Sequence, residues 1–136
     1  MPFSVRPGKG KATGIDIWVE GSGEQTAQSL RKNAALEGVA DRVDLQEVDA
    51  RKMPFPDASF DVVFASLSLH HVGNGADRKQ AASEMMRVLK PGGVILIYDI
   101  LPIANGVAHT LRNLGASDIR RLSGLLVRTL RIQKPS

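Results

Sequence analysis

Two apolar segments separated by one amphipathic segment constrain the fold of this chain more than any other feature. Residues 59–66 and residues 94–100 are short and rich in Val, Ile, Leu and Phe, as buried strands are. Residues 77–90 repeat apolar side chains at helical spacing, on a face formed by Ala81, Met85, Val88 and Leu89. Two parallel strands need a helical connection of this length, and the crossover is right-handed. The pattern therefore predicts a β–α–β unit.

The sequence before this unit continues the alternation. Residues 11–18 and 42–48 predict two further strands with a helix between them. Ser22 is the expected N-cap of that helix, and Gly38 is its expected stop. Residues 53–57 contain two prolines, which predict an irregular connection.

The sequence after residue 89 predicts three more elements. Residues 90–93, Lys-Pro-Gly-Gly, combine a cation with helix breakers and are expected to end the preceding helix. Pro102 predicts a break before a helix at residues 106–114. Residues 119–123 and 125–133 alternate well enough to predict two antiparallel strands joined at a glycine. Strands and helices in this order indicate an α/β fold with a mostly parallel sheet.

Length and composition bound the class of protein. With 136 residues we expect one domain over 1–136, with an irregular segment at 1–10. Zero Cys excludes a disulfide framework, a thiolate metal site and a cysteine nucleophile. No segment approaches the roughly 18 apolar residues of a membrane span, and no signal peptide is visible. We therefore expect a cytoplasmic protein without membrane contact.

The net charge of +4 is concentrated toward the C-terminus. After Ile100 the one acidic residue is Asp118, whereas the basic residues are Arg112, Arg120, Arg121, Arg128, Arg131 and Lys134. Such a stretch is compatible with nucleic-acid binding. In residues 125–132, however, arginines alternate with apolar residues, which predicts a strand with one solvated face. We therefore expect no nucleic-acid partner and keep that function as an alternative.

Five short motifs occur together in the order and spacing of a known family. They are residues 12–18 (Ala-Thr-Gly-Ile-Asp-Ile-Trp), Asp49-Ala50, residues 54–63, Leu69-His70-His71-Val72 and residues 87–93. In this order they resemble the class I S-adenosylmethionine-dependent methyltransferases, over roughly residues 8 to 134. The resemblance implies a Rossmann-like three-layer sandwich with a mostly parallel sheet and an antiparallel C-terminal strand. It also implies S-adenosylmethionine as the cofactor.

The family's sheet has seven strands in the order 3-2-1-4-5-7-6. On that map residues 11–16 resemble the second strand, 43–48 the third, 60–66 the fourth and 94–99 the fifth. The C-terminal pair resembles the sixth and seventh. The first strand, its glycine-rich loop and its helix have no counterpart in residues 1–10. The resemblance therefore predicts an N-terminally truncated domain.

Loss of the first strand would leave backbone groups unpaired in the middle of the sheet. Three repairs are open. Residues 3–6 fold back on residues 11–14 as a hairpin, the second and fourth strands pair directly, or two chains associate through the exposed edge. We expect a homodimer through this sheet edge, with partial filling by the N-terminal segment.

The resemblance assigns cofactor contacts to residues at the strand ends. Asp16 would accept hydrogen bonds from the ribose diol, and Asp49 would accept from the adenine amino group. The Ala50 amide would lie beside the adenine, with Ile17 against the ring, and Ser66 would contact the cofactor at the end of the fourth strand. Without the family, Asp16 is a strand-end residue that caps a loop amide, and Asp49 is an ordinary turn residue.

His70 and His71 follow the fourth strand, near the expected entrance of the methyl acceptor. A histidine can remove an acceptor proton near neutral pH, so both are candidate substrate residues. The alternative is that they pack or anchor the loop. No residue is assigned as catalytic, because methyl transfer rests mainly on alignment of the reacting atoms. With three histidines in the chain and no clear acidic partner, no metal site is expected.

The sequence thus predicts methyl transfer from S-adenosylmethionine to an unidentified acceptor, with activity weak or lost. The first alternative is a non-catalytic methyltransferase-like remnant that acts as an oligomeric or interaction module. The second is nucleic-acid binding through the basic C-terminus. The expected partners are S-adenosylmethionine or S-adenosylhomocysteine and a methyl acceptor.

Overall fold

The computed structural model describes residues 10–16 and 27–136, in two compact units that divide between Asp49 and Ala50. The predicted N-cap Ser22, the cofactor residue Ile17 and the hairpin at residues 3–6 lie outside the described residues.

The first unit contains two parallel strands and a helix. They are β1 (Ala12–Asp16), α1 (Ala27–Leu36) and β2 (Val43–Glu47). The register runs from Ala12 opposite Val43 to Asp16 opposite Glu47. Gly38 ends α1 with φ of 70°, and its amide donates to the Ala35 carbonyl at 3.1 Å. A left-handed residue at this place is a common helix stop, so this prediction is confirmed.

The second unit contains a four-stranded sheet and two helices. Its elements are β3 (Phe60–Ser66), α2 (Gly75–Val88), β4 (Leu89–Ile100), α3 (Leu101–Asn113), β5 (Ser117–Ser123) and β6 (Val127–Gln133). The strand order is β3-β4-β6-β5, with β3 parallel to β4 and with β6 antiparallel to β4 and β5. This is the 4-5-7-6 order of the family map, and it confirms the predicted topology of these strands.

The core of the second unit lies between one face of its sheet and the two helices. Burial alternates along β4, where Ile95, Ile97 and Asp99 are completely buried. From the neighbouring strand β6, Leu130 and Ile132 join the same cluster. The helices contribute Ala82, Met85, Met86, Ala104, Val107, Ala108 and Leu111. The apolar helical face read from the sequence is therefore the buried one.

The junction between α2 and β4 differs from the sequence prediction. The helix ends at Val88, and Lys90 lies in β4, where it pairs with Asp61 at 3.2 Å. The cation at the end of α2 is Lys134, whose Nζ donates to the carbonyls of Met86 and Leu89, both at 2.8 Å. The long side chain reaches these carbonyls from the end of the neighbouring strand, a contact that sequence spacing does not show.

The predicted break at Pro102 is wrong. Helix α3 begins at Leu101, so Pro102 lies in its first turn. Proline is tolerated there because the first amides of a helix have no partner within it, and the ring already has a helical φ. The helix is consequently longer than the predicted 106–114.

The hairpin of β5 and β6 places its arginines on both faces. Arg120 lies opposite Arg131, whereas Arg121 lies opposite the buried Leu130. Residue alternation along β6 then puts Arg128 on the same face as Leu130, toward α3. The prediction that the arginines share one solvated face is therefore wrong for Arg128, which is half-buried.

An ion pair on α2 holds the proline-containing loop in place. Arg87 donates to both oxygens of Glu84 at 2.8 and 2.9 Å and to the carbonyls of Met53 and Phe55 at 3.0 and 2.7 Å. Glu84 in turn accepts from the Met53 amide at 2.8 Å. The hydrogen bond from Arg87 lowers the pKa of Glu84. Two prolines cannot hold the loop through their own amides, so these side chains do.

Glu84→Gln is expected to reduce the free energy of unfolding by about 1–2 kcal/mol at neutral pH, because it removes charge-assisted hydrogen bonds. A lowered pKa in the folded state gives stability that is present above the ordinary value of 4.5 and is lost as the pH falls below it. The difference between wild type and variant should therefore shrink from neutral pH to about pH 3 in urea unfolding.

Asp57→Asn is the matched control, because Asp57 also pairs with Arg87, at 2.9 Å, but its side chain is 80% exposed. Exposed pairs contribute little, so its unfolding free energy should change by less than about 0.5 kcal/mol. If the unfolding free energies of wild type and Glu84→Gln differ by the same amount at every pH, the role given to Glu84 is contradicted.

Candidate functional site

The two carboxylates of the first unit lie at the ends of neighbouring strands. Asp16 is the last residue of β1, and its carbonyl accepts from the Val48 amide at 3.0 Å. Asp49 follows β2 by two residues. Because β1 and β2 are parallel, their carboxyl ends meet at one edge of the sheet, and both residues lie at that edge. Asp16 is exposed, and Asp49 is half-buried.

These carboxylates suit a ligand that presents hydrogen-bond donors. An ionised carboxylate is an acceptor with two oxygens, so it matches a diol or an amino group. The carboxyl ends of parallel strands are also where open α/β sheets bind ligands. Ala50, which follows directly, is half-buried and is the first residue of the second unit.

Ser66 ends β3 at the corresponding edge of the second unit. It lies opposite Tyr98 of β4 and is half-buried. The next residue, Leu67, has φ of 49°, and its amide donates to the Tyr98 carbonyl at 2.7 Å. A left-handed leucine is uncommon and strained, and such strain concentrates at functional sites. The turn leads into a short 3-10 helix at Leu69–His71.

The buried Asp99 organises this loop. One oxygen accepts from the Leu69 amide at 3.1 Å. The other accepts from Nδ1 of His70 at 2.9 Å and from the Ile100 amide at 2.8 Å. The Asp99 side chain is 0% exposed, so the carboxylate is desolvated and fully engaged. His70 therefore has an acidic partner, and the expectation that the histidines lack one is wrong.

Sequence reasoning missed Asp99 as a site residue. The available signal was an acid at the end of an apolar strand, the same signal that marked Asp16. The loop-anchoring alternative for His70 is supported by this contact. His71 is exposed, and its ring centroid lies 3.9 Å from that of His70.

Residues 10–16 and 27–136 contain no group of three or more His, Cys, Asp or Glu side chains that could hold a metal ion. No helix in this part of the chain is long and apolar enough to cross a membrane.

Comparison with known proteins identifies the family. The family described as "Methyltransferase domain" matches residues 3–97, which is more than half of the chain. The chain belongs to that family. Together with the relatives below, the match makes it a class I S-adenosylmethionine-dependent methyltransferase-family protein with the Rossmann-like α/β fold.

Curated relatives of this methyltransferase domain match about two thirds of it. A 27-O-demethylrifamycin SV methyltransferase of Amycolatopsis mediterranei is 42% identical over 92 residues, which are 66% of the chain and 33% of the relative. A sterol 4-C-methyltransferase of Caenorhabditis elegans is 35% identical over 91 residues, 67% of the chain and 25% of the relative. The matched region thus corresponds to about a third or less of each of these relatives.

Solved structures agree on the fold. The cyclase SpnF superposes with a TM-score of 0.73 at 22% identity, over 93% of this chain and 66% of that one. A putative S-adenosylmethionine-dependent methyltransferase from Methanococcus maripaludis gives 0.67 at 17% identity, over 91% and 67%. Identities this low carry the fold alone. The family relatives imply S-adenosylmethionine as the cofactor, and the donors on its adenosine fit the acceptors Asp16 and Asp49.

Proposed function

We propose that this methyltransferase-family domain binds S-adenosylmethionine and transfers its methyl group to a hydroxyl acceptor. The observation that carries the proposal is the placement of Asp16 and Asp49 at the adjacent carboxyl ends of parallel strands β1 and β2. Two acceptor-only groups at such an edge match the ribose diol and the adenine amino group of one adenosine.

Each residue of the proposed cofactor site has a stated task. Asp16 accepts from the ribose hydroxyls, and Asp49 accepts from the adenine amino group. The family resemblance assigns the other contacts: the Ala50 amide beside the adenine, Ile17 against the ring, and Ser66 in contact with the cofactor. The cofactor supplies a methyl group activated on a sulfonium, so the domain needs no nucleophile of its own.

His70 is the residue that we propose to receive the acceptor's proton. Its Nδ1 is held by Asp99 at 2.9 Å, which leaves Nε2 for another partner. A carboxylate in this position fixes the orientation of the imidazole and stabilises the charge that forms when the ring takes a proton. A hydroxyl must lose its proton during methylation, and an oriented imidazole is a base suited to take it. The 27-O-demethylrifamycin methyltransferase among the relatives is named for such an acceptor.

Calorimetric titration with S-adenosylhomocysteine tests the cofactor site. Asp16→Ala and Asp49→Ala should each raise Kd at least tenfold, because each removes a charged acceptor worth about 1.5–3 kcal/mol. Asp44→Ala is the matched control. Asp44 lies on β2, is exposed, and contacts the side chain of Gln46 at 2.6 Å. Its Kd should stay within about twofold of wild type.

Two results separate the remaining functions. No binding by wild type at millimolar ligand, or equal affinities of all three variants, would contradict the cofactor site. Binding without transfer to any acceptor would support the non-catalytic module.

The homodimer stays a prediction. Val62 and Phe64 are exposed on β3, one of the two outer strands of the four-stranded sheet, where we propose that a second copy attaches.

A further inference from the structure

A second concave site lies within the second unit, between α3 and the β5–β6 hairpin. It is an open cavity of about 390 Å³, a volume within the range of small-molecule sites. Arg112 from α3, Arg121 from β5 and Arg128 from β6 all line it. No carboxylate lines it. The proposed methyl transfer uses none of these arginines.

The acidic residue in this part of the chain pairs with arginines outside the cavity. Asp118 is the one acidic residue after Ile100, and it binds Arg120 at 2.7 Å and Arg131 at 3.6 Å. Arg120 and Arg131 are paired on the opposite face of the hairpin from Arg121. Among the described residues, the three arginines of the cavity therefore have no carboxylate partner. Like charges gathered at a cavity repel one another unless an anion joins them.

Arg128 shows most directly that the arginines of the cavity have unsatisfied donors. Its Nη1 donates to the side-chain oxygen of Asn105 at 3.0 Å, which fixes the guanidinium. Its Nε is buried and has no hydrogen-bond partner. A buried donor left unpaired costs free energy, so the contacts around Arg128 do not satisfy its guanidinium completely.

We propose that this cavity binds the phosphate group of a small organic phosphate. Guanidinium groups recognise phosphate through paired hydrogen bonds, and three of them match a dianion better than a monovalent carboxylate. The cavity is larger than a free ion needs, and Ala108, Ile119 and Leu130 supply apolar wall for the organic part. None of the residues assigned to the cofactor lines this cavity.

Calorimetry with inorganic phosphate, phenyl phosphate and benzoate tests the proposal at low salt. Phenyl phosphate should bind more tightly than inorganic phosphate, because its ring meets the apolar wall, and at least tenfold more tightly than benzoate. Arg121→Gln and Arg128→Gln should each raise the Kd for phenyl phosphate about tenfold or more. Arg121 is exposed, so its variant remains informative if the half-buried Arg128 variant fails to fold.

Arg120→Gln is the control with the same charge change one residue away, on the other face. Its Kd should stay within about twofold of wild type. Equal weakening by Arg120→Gln and Arg121→Gln would show a diffuse positive surface and overturn the site. Absence of phosphate and phenyl phosphate binding at millimolar concentration would also overturn it. So would a single-stranded oligonucleotide that binds with strong salt dependence while phenyl phosphate does not bind.

Discussion

Asp99→Ala is expected to lower the free energy of unfolding by about 3 kcal/mol or more, because three donors lose their acceptor at once. The amides of Leu69 and Ile100 and Nδ1 of His70 all point to this carboxylate. Asp99 is completely buried, and Leu69 is nearly so, so water cannot reach the Leu69 amide without opening the loop. Urea unfolding measures the effect.

Asp99→Asn separates the loss of an acceptor from the loss of volume. The Asn side chain keeps one oxygen, and its amide nitrogen cannot accept a hydrogen bond from whichever of the Leu69 amide and His70 it faces. The free energy of unfolding should therefore fall by about 1–2 kcal/mol, less than in Asp99→Ala. Asp61→Ala is the control, because Asp61 is an 85% exposed aspartate on β3. Its effect should stay within about 0.5 kcal/mol. If Asp99→Ala lowers the free energy of unfolding no more than Asp61→Ala does, Asp99 does not anchor the loop.

The variant His70→Ala tests whether the His70–Asp99 pair also acts in methyl transfer. Methyl transfer to a panel of hydroxylated acceptors should fall about 100-fold or more if His70 takes the proton. The affinity for S-adenosylhomocysteine should stay within about twofold, since this side chain is not assigned to the cofactor. Unchanged transfer would leave His70 with the anchoring role alone.

Gly124→Ala is expected to destabilise the protein by about 3 kcal/mol, because two penalties add at one position. Gly124 has φ of 98°, a conformation that side chains rarely adopt. A Cβ at this place would also overlap the carbonyl oxygen of Val127. The chain cannot relieve both without moving β6, which carries the buried Leu130 and Ile132.

Gly106→Ala is the matched control in the same unit. Gly106 lies in α3, and a Cβ there meets no neighbouring heavy atom within 4 Å. Alanine should stabilise the helix by about 0.5–1 kcal/mol. The two variants should therefore shift the thermal midpoint in opposite directions. Equal shifts would contradict the constraint assigned to the hairpin turn.

Local sequence patterns predict the strands and helices of this chain where buried apolar residues recur at a regular spacing. Residues 59–66 and 94–100 correspond to β3 and to most of β4, and the helix between them buries the predicted face. The order β3-β4-β6-β5 came from the family resemblance, because apolar periodicity does not specify which strands become neighbours. The boundaries at Lys90 and Pro102 differed, because tertiary contacts and first-turn geometry decided them.

The candidate site divides in the same way. The position of Asp49 after a strand follows from the apolar pattern of residues 42–48, whereas the strand end at Asp16 came from the family resemblance. The partnership of His70 with Asp99 joins residues 29 positions apart, and it depends on the pairing of β3 with β4. The face taken by Arg128 depends on the register of β6 against β4. Long-range register is not encoded in any local window, so these contacts required the structure.

The position of β6 between β4 and β5 has a consequence for biosynthesis. Of the six strands in the described residues, the one synthesised last inserts between two that are synthesised earlier. During translation β4 therefore has one open edge until residue 133 has left the ribosome. Ile95 and Ile97 then lack Ile132 and Leu130 as neighbours. The second unit should complete its folding only after residue 133 has emerged, and chains halted before Val127 should depend on chaperones.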